Sequence, residues 1–258
     1  MPTFLRAGRR ALAAVIATGF MLGAAIAPAS ALDDAQRKEF EGVIRDYLLK
    51  NPEVIQEAIM ELQKRQAAAE ASQRQQALTE LKPLVFDSPR GTVVGNPKGD
   101  VTLVEFFDYN CGYCKKALGD LVELVKSDNK LKVVLKEFPV LGPGSVEAAR
   151  VAVAVRLTAP DKYFAFHQKL LGDRGQANKA KALEAAGEVG IDKAALEKAL
   201  ANPEIDATLQ ESLQLADALG IDGTPSYVLG DSVIVGAVGH DQIRNAIQSV
   251  RNCGKTQC

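Results

Sequence analysis

Four cysteines carry the clearest chemistry in this 258-residue chain, and they form two close pairs. Cys111 and Cys114 enclose a Gly-Tyr dipeptide, whereas Cys253 and Cys258 lie at the C-terminal end. Two cysteines three residues apart on a helix face the same side, at a backbone separation that suits a disulfide. The first pair can therefore alternate between a disulfide and a dithiol without movement of the backbone.

The position of this pair indicates different roles for its two sulfurs. The pattern predicts a buried strand over residues 101–108 and a helix over residues 114–126, so the cysteines lie at their junction. Unpaired backbone N–H groups and the dipole at a helix N-terminus stabilise a thiolate. We therefore expect Cys111 to be the nucleophile. Cys114, one turn further along, is expected to be buried and to resolve a mixed disulfide.

Other interpretations of the cysteines remain open. In a zinc site, Cys111 and Cys114 would need two further ligands; Cys253 and Cys258 would supply them, because the nearest histidine, His167, is far away in the sequence. A purely structural Cys111–Cys114 disulfide is a second alternative. The flanking strand and helix favour a redox site, for which no cofactor and no metal is expected. Cys253 and Cys258 are most simply a structural disulfide, with metal binding or electron relay as alternatives.

The N-terminal residues predict export. Three arginines (Arg6, Arg9 and Arg10) precede an apolar run over residues 11–26, and residues 29–31, Ala-Ser-Ala, have the small-residue pattern of a cleavage site. We therefore expect residues 1–31 to be a signal peptide, with a retained membrane anchor as the alternative. All four cysteines follow the cleavage site, which suits an oxidising compartment, and a bacterial periplasm is the expected location.

The composition of the remaining chain excludes some classes of function. Without residues 1–31 the chain has 28 basic and 32 acidic residues, a formal charge of −4, so nothing suggests nucleic acid as a partner. No later apolar stretch is long enough to cross a bilayer. We expect the mature protein to be soluble.

Residues 32–82 predict a helical region made of two helices. The first has apolar residues at spacings of three and four, namely Phe40, Val43, Ile44, Tyr47 and Leu48. The second begins at Pro52 and runs to about residue 81, but its apolar stripe fades after Leu62 and is too narrow to bury a long helix against one domain. We expect this region to mediate homo-oligomerisation. The alternative is that it folds back on its own domain or is partly disordered.

The pattern of residues 83–258 predicts an α/β domain. A linker over about residues 82–100 leads into it. Strands are expected at residues 92–94, 101–108, 132–138, 226–229 and 232–235. Five helices are expected at residues 145–157, 161–171, 179–189, 193–201 and 203–219, and a closing helix at residues 240–250. The helical block therefore interrupts the strands over about residues 145–219.

The ten residues from Glu105 to Cys114, EFFDYNCGYC, resemble the DsbA-like branch of the thioredoxin superfamily. Residues 223–226, Gly-Thr-Pro-Ser, are similar to the cis-proline segment that faces the cysteine pair in that superfamily. The resemblance implies a thioredoxin fold with an inserted helical domain, here preceded by an N-terminal helical extension. It also implies a cis peptide bond at Pro225, with Thr224 before it, on whose exposed backbone a substrate strand can pair.

The resemblance gives Glu105 a role, because related acids exchange protons with the second cysteine of the pair, here Cys114. The alternative is a strand residue that faces outward. Lys136 would be the charge partner of Glu105. His167 is expected to pack inside a helix rather than to act in catalysis, and His240 is expected at the start of the closing helix.

Residues 47–55 and the helix after them resemble the N-terminal region of ScsC-type proteins, periplasmic relatives linked to copper tolerance and, in some cases, trimeric isomerases. The Gly-Tyr dipeptide and Thr224 are also typical of disulfide isomerases. The expected function is thiol–disulfide exchange on exported proteins with cysteines, as an oligomeric isomerase or reductase served by a membrane redox partner. A monomeric DsbA-type dithiol oxidase and a copper-binding thiol protein are the alternatives.

Overall fold

The structure of the protein is a computed structural model that describes residues 33–258. The predicted signal peptide, residues 1–31, lies outside the described residues. The chain divides into two compact units, Met1–Met60 and Glu61–Cys258. None of the helices within residues 33–258 combines the length and the apolar composition that a membrane span requires.

The described part of the first unit is helical. Helix α1 spans Asp34–Lys50, and helix α2, Glu53–Glu80, begins in this unit. Asp33 caps α1 because its side chain accepts a hydrogen bond from the backbone N–H of Gln36, while the Gln36 side chain accepts one from Asp33. None of the side chains of α1 is buried, and Phe40, Val43, Ile44 and Tyr47 are each more than half exposed.

The end of α2 belongs to the second unit, which begins earlier than the boundary expected at residue 82. Leu78 is buried in a core that also contains Val85 and Phe86. These two residues lie on a short helix, α3, at Lys82–Phe86, where the sequence predicts only a linker. The apolar contacts of Leu78 and α3 explain both differences, because they attach the end of the long helix to the second unit.

The second unit contains a five-stranded sheet in the order β1-β3-β2-β4-β5. The strands are β1 Thr92–Gly95, β2 Val101–Phe107, β3 Leu131–Glu137, β4 Ser226–Leu229 and β5 Ser232–Val235. Strands β2 and β3 are parallel and are joined through helix α4, Gly112–Ser127, whereas the other neighbours are antiparallel. This sheet is the thioredoxin-type arrangement that the sequence predicts.

Five helices lie between β3 and β4, and they confirm the predicted insertion. They are α5 Pro143–Thr158, α6 Tyr163–Gly172, α7 Lys179–Glu188, α8 Lys193–Ala199 and α9 Glu204–Ala218. A 3₁₀ turn at Pro160–Lys162 precedes α6. The closing helix α10, His240–Cys253, begins at His240 as expected.

Each face of the sheet is covered by a separate core. Leu103, Phe107 and Leu135 belong to the core that contains Cys114, whereas Val104 and Phe106 belong to the core beneath α3 and the end of α9. Side chains alternate between the two faces of a strand. Position 105 therefore faces the core that contains Cys114, and position 136 faces the opposite core.

This alternation shows that the expected pairing of Lys136 with Glu105 is wrong, because the two side chains lie on opposite faces of the sheet. The Lys136 side chain is fully enclosed, and its Nζ donates to Glu211 Oε1 at 2.9 Å and to the Leu84 carbonyl at 3.1 Å. Burial lowers the pKa of Lys136, and Glu211 opposes this shift. Glu211 also accepts hydrogen bonds from Ser88 and Arg90.

The C-terminal cysteines form the expected disulfide, Cys253–Cys258. The tail that it closes lies against the turn between β4 and β5. There, Thr256 donates its backbone N–H to Asp231 Oδ1 at 3.2 Å and its hydroxyl lies 2.7 Å from that of Ser232. The second cysteine pair therefore fixes the C-terminus to the sheet.

We predict that removing Glu211 alone lowers the stability of the protein strongly, whereas replacing both Lys136 and Glu211 by apolar residues changes it little. Glu211→Ala leaves a buried ammonium without its partner and should lower the free energy of unfolding by about 3–5 kcal/mol. The double variant Lys136→Met/Glu211→Leu should lie within about 2 kcal/mol of the wild type, because it removes both charges. Urea denaturation measures both. The exposed pair Arg65–Glu61 is the control, and Glu61→Ala should change stability by less than about 1 kcal/mol.

Candidate active site

Cys111 occupies the N-cap position of α4, directly after the turn that leaves β2. Its backbone N–H donates to the Asp108 carbonyl at 3.0 Å, which closes this turn. Both cysteines are free thiols, but 6% of Cys111 is exposed whereas Cys114 is fully buried. The arrangement leaves one sulfur at the helix N-terminus with access to a partner and the other inside.

The segment Thr224–Pro225 lies directly beside Cys111. The peptide bond between the two residues is cis, as predicted, and the Cys111 thiol donates to the Thr224 carbonyl at 3.1 Å. Strand β4 starts with Ser226 opposite Phe106, so its pairing with β2 brings this segment to the end of β2 that leads into the cysteines. The structure therefore brings together two motifs that are far apart in the sequence.

The environment of Cys114 keeps this sulfur protonated. Burial raises its pKa far above the ordinary value for a thiol, and the nearby Glu105 and Cys111 add to the shift. The backbone N–H of Asp108 and the Thr224 hydroxyl act in the opposite direction. A thiol of this kind needs a proton acceptor before it can attack a disulfide.

Glu105 lies on the sheet face that contains Cys114 and is only 2% exposed, so it is not an outward-facing strand residue. It sits between Leu135 of β3 and Tyr227 of β4. Its Oε2 has no hydrogen-bond partner within the described chain. Burial raises the pKa of Glu105 to about 8. A carboxyl group with such a pKa can take up and release a proton near neutral pH.

A second buried acid, Asp108, has a full set of hydrogen bonds, which sequence reasoning missed. Its Oδ1 accepts from the backbone N–H of Asn110 and the hydroxyl of Ser145, both at 2.7 Å. Its Oδ2 accepts from the backbone N–H groups of Val140 and Leu141, at 2.9 and 3.0 Å. The position of Asp108 three residues before Cys111 was the only available signal, because all but one of these partners lie more than thirty residues away.

Asn110 extends this network into the helical insertion. Its side-chain Oδ1 accepts from the backbone N–H of Ala177 at 2.6 Å, and its Nδ2 donates to the Ala177 carbonyl and to Ser145 Oγ, both at 3.0 Å. The residue next to the nucleophile is therefore fixed to both α5 and the loop before α7.

Behind the cysteines lies a buried polar cluster, which the sequence also did not reveal. The Tyr163 hydroxyl donates to Glu137 at 2.6 Å, and the Tyr109 hydroxyl lies 3.3 Å from His167 Nδ1. Burial raises the pKa of Glu137 to about 8 and lowers that of His167 to about 3. His167 is packed among aromatic rings, as predicted.

Four large apolar side chains are exposed on the segments that the Asp108 network holds or on the cysteine motif itself. We call them the apolar rim: Tyr113, Val140, Leu141 and Val146. Tyr113 lies between the cysteines and is 67% exposed, and Leu141 is 50% exposed. These four side chains are exposed to solvent and are available to an apolar partner.

The expected site residues therefore meet at one end of the sheet, whereas Cys253 and Cys258 lie at its other end. The tail between the latter two cysteines contacts the β4–β5 turn through Thr256, and this turn lies beside the start of β2, whereas Cys111 follows the end of β2. Within residues 33–258 there is no group of three or more His, Cys, Asp or Glu side chains that could hold a metal ion. The alternative of a four-cysteine zinc site is therefore not formed in the described structure.

Comparison with known proteins gives the same picture. The profile of the DSBA-like thioredoxin domain matches residues 102–248, more than half of the chain. A second profile, described as the copper resistance protein ScsC N-terminal domain, matches residues 36–69. The resemblance expected from the two sequence motifs is therefore confirmed.

Individual relatives are similar over most of their own length. The thiol:disulfide interchange protein DsbA of Bordetella pertussis is 27% identical over 166 residues, which cover 63% of this chain and 75% of the relative. The crystal structure of a thioredoxin-like oxidoreductase from Silicibacter pomeroyi is 43% identical with a TM-score of 0.64, and the match covers 66% of this chain and 98% of that one. Proteus mirabilis ScsC in a compact conformation is 30% identical with a TM-score of 0.65, with coverage of 84% and 99%.

The sheet order, the inserted helices and the matched regions agree with one another. Homologues of this chain include thiol–disulfide oxidoreductases. The chain belongs to the family of DsbA-like thioredoxin-domain proteins.

Proposed function

We propose that this protein is a periplasmic thiol–disulfide oxidoreductase that acts on cysteines of exported proteins, as an isomerase or reductase. The observation that carries the proposal is the position of the Cys111 thiol. It lies at the N-terminus of α4, hydrogen-bonded to the Thr224 carbonyl, with the enclosed Cys114 one turn away. This arrangement offers one sulfur to a substrate and keeps the second in reserve.

The reaction proceeds through a mixed disulfide. The Cys111 thiolate attacks one sulfur of a substrate disulfide, the S–S bond breaks, and the other substrate sulfur leaves as a thiolate. In reduction, Cys114 then attacks the mixed disulfide, which forms the Cys111–Cys114 disulfide and releases a reduced substrate. In isomerisation, another substrate thiolate attacks instead, so that Cys111 and Cys114 return as a dithiol and no net oxidation occurs.

Thr224 and Pro225 are proposed to bind the substrate backbone. Thr224 offers a carbonyl at the site of exchange, and in the free protein this carbonyl accepts a hydrogen bond from the Cys111 thiol. A substrate segment in extended conformation can pair with this short edge, which brings its own cysteine to Cys111.

Glu105 is proposed to be the proton acceptor for Cys114. Its burial on the Cys114 face, its unpartnered Oε2 and its raised pKa support this role. When Cys114 attacks the mixed disulfide, its thiol proton passes to the Glu105 carboxylate. In the reverse direction the carboxylic acid returns the proton to the Cys114 thiolate.

Export and oligomerisation complete the proposal. The pattern of residues 1–31 supports cleavage after secretion into the periplasm, where a membrane redox partner, a reductase in the isomerase direction, restores the dithiol. The exposed apolar residues of α1 support homo-oligomerisation, since a helix with such a stripe gains stability by burying it. An isomerase benefits from several active sites on one scaffold, because a misfolded substrate can be held while its cysteines are exchanged.

We predict a division of labour between the two sulfurs. Cys111→Ser should reduce thiol–disulfide exchange to background, because no nucleophile remains. Cys114→Ser should accumulate mixed disulfides with substrate proteins, visible on non-reducing gels, because the resolving sulfur is lost. The double variant Cys253→Ser/Cys258→Ser is the control and should retain activity. Full activity of Cys111→Ser would overturn the enzyme assignment.

The copper-binding alternative has the ScsC profile as its supporting observation. It would be supported by a wild-type protein that shows no thiol–disulfide exchange but retains copper(I) in native mass spectrometry.

We predict a characteristic pH dependence for the second step. The Glu105 carboxylate forms as the pH rises through about 8, so attack by Cys114 should accelerate over that range. Glu105→Gln accepts no proton and should slow this step by on the order of 100-fold above that pH. Stopped-flow release of a peptide from its Cys111 mixed disulfide measures the rate. Glu123→Gln neutralises an exposed carboxylate on the same helix as Cys114 and should retain the wild-type profile. An unchanged profile in Glu105→Gln would exclude Glu105 as the acceptor.

We predict that the apolar face of α1 controls oligomeric state and isomerase activity together. Ile44→Glu places a charge on this face and should convert the oligomer to a monomer in light scattering. It should also abolish recovery of a scrambled disulfide substrate but spare reactions with small thiols. Arg45→Glu lies outside this face, about 130° from its centre at 100° per residue, and should remain oligomeric. A monomeric wild type that oxidises reduced peptides but recovers no scrambled substrate would instead establish the dithiol oxidase alternative.

A further inference from the structure

Asp108 lies at a junction of three chain segments, and its carboxylate accepts a hydrogen bond from each of them. The first segment is the cysteine turn, through the N–H of Asn110. The second is the loop after β3, through the N–H groups of Val140 and Leu141. The third is the first turn of α5, through the Ser145 hydroxyl. Asp108 is 1% exposed, so water does not compete for these bonds.

The two oxygens of this carboxylate serve different segments. Oδ1 binds the turn that carries Cys111 and the start of α5, whereas Oδ2 binds the loop that carries the exposed side chains of Val140 and Leu141. One rigid planar group therefore bridges the turn that carries the nucleophile and the loop that carries part of the apolar rim. No other group in the described chain contacts both segments through side-chain hydrogen bonds.

We propose that Asp108 is a positioning residue for polypeptide substrates, which it serves by holding the Val140–Leu141 loop in register with Cys111. The inference rests on the proposed function. A substrate with an apolar side chain near its cysteine contacts Leu141 while its sulfur meets Cys111. Binding energy at the loop then orients the reacting sulfur, an effect that small disulfides cannot use.

The chemistry at Asp108 makes asparagine an informative substitution. The amide has nearly the same shape, but its NH₂ group donates where the carboxylate accepts. All four wild-type partners are donors, three of them backbone N–H groups that cannot reverse. In Asp108→Asn the side-chain NH₂ group therefore faces donors in place of one of the two oxygens, and those hydrogen bonds are lost. The loop and the cysteine turn are then no longer held by the same group.

The test compares two disulfide substrates that release the same chromophore. One is a peptide with leucines on both sides of a cysteine, joined to thionitrobenzoate, and the other is the symmetrical thionitrobenzoate disulfide. In both, Cys111 attacks one sulfur and thionitrobenzoate leaves. Asp108→Asn should lower kcat/KM for the peptide by on the order of 10- to 100-fold, mainly through KM, and change the small-disulfide reaction by less than about threefold. Glu123→Gln should match the wild type with both.

A double-mutant cycle with Leu141→Ser separates positioning from general damage. Leu141→Ser keeps the backbone N–H and removes the apolar side chain, so alone it should also weaken the peptide reaction. If Asp108 acts through this loop, the double variant Asp108→Asn/Leu141→Ser is no worse than the more severe single variant. Additive losses, or equal losses with both disulfides, would overturn the inference while leaving the proposed function intact.

Two further outcomes are distinct. A wild type that reacts with neither disulfide would overturn the proposed function and this inference with it. If Asp108→Asn does not fold, Ser145→Ala provides a milder comparison, because it frees Oδ1 from α5 and so loosens the carboxylate that holds the loop through Oδ2. It should show a smaller loss, about three- to tenfold, confined to the peptide. A Ser145→Ala variant that matches the wild type on the peptide would overturn the inference.

Discussion

The hydrogen bond from the Cys111 thiol to the Thr224 carbonyl joins two segments that are 113 residues apart. It requires that β4 pairs with β2 in one register, because a shift of one residue would move Thr224 away from the end of the strand that leads to the cysteines. The five inserted helices must therefore return the chain to the end of the sheet where β3 stops, but on the other side of β2. Half of the α5 residues are buried, and the apolar ones belong to the same core as Cys114. The insertion is therefore packed onto the sheet face that carries the exchange site.

The sheet and the turn after β2 carry several buried charged or acidic side chains, and each is stabilised differently. Lys136 has an ion pair, Asp108 has four neutral donors, and Glu137 has the Tyr163 hydroxyl. Glu105 is the exception, because one of its oxygens has no partner in the described chain. An unsatisfied buried acid costs stability. Glu105 lies on the same face as Cys114, and the proposed proton transfer between them would explain why an acid is kept there.

The sequence predicts most of this architecture because its signals are local. The cysteine motif, the strand before it and the Thr-Pro segment before the last hairpin are each visible as short patterns, and their elements form nearly as expected. Helix α3 was missed because its five residues include a proline and make sense only against the buried Leu78. The partner of Lys136 was also predicted wrongly. A strand covered on both faces has no polar side in its sequence, so alternation alone could not tell that Glu105 and Lys136 face different cores. The contacts of Asp108 could not be predicted either, because three of its four partners lie more than thirty residues away in the sequence.

The disulfide at the C-terminus has a consequence for any handling of this protein outside an oxidising compartment. Both of its cysteines are exposed, whereas the thiols of the active pair are buried. A small dithiol reductant used to load electrons onto Cys111 and Cys114 therefore also opens the ring at Cys253 and Cys258. The preparation then contains twice as many titratable thiols as the working site, and its last residues are no longer tied covalently beside the β4–β5 turn. A sample reduced in the test tube and one reduced by a selective protein partner are thus different molecules, even when the active pair is in the same state.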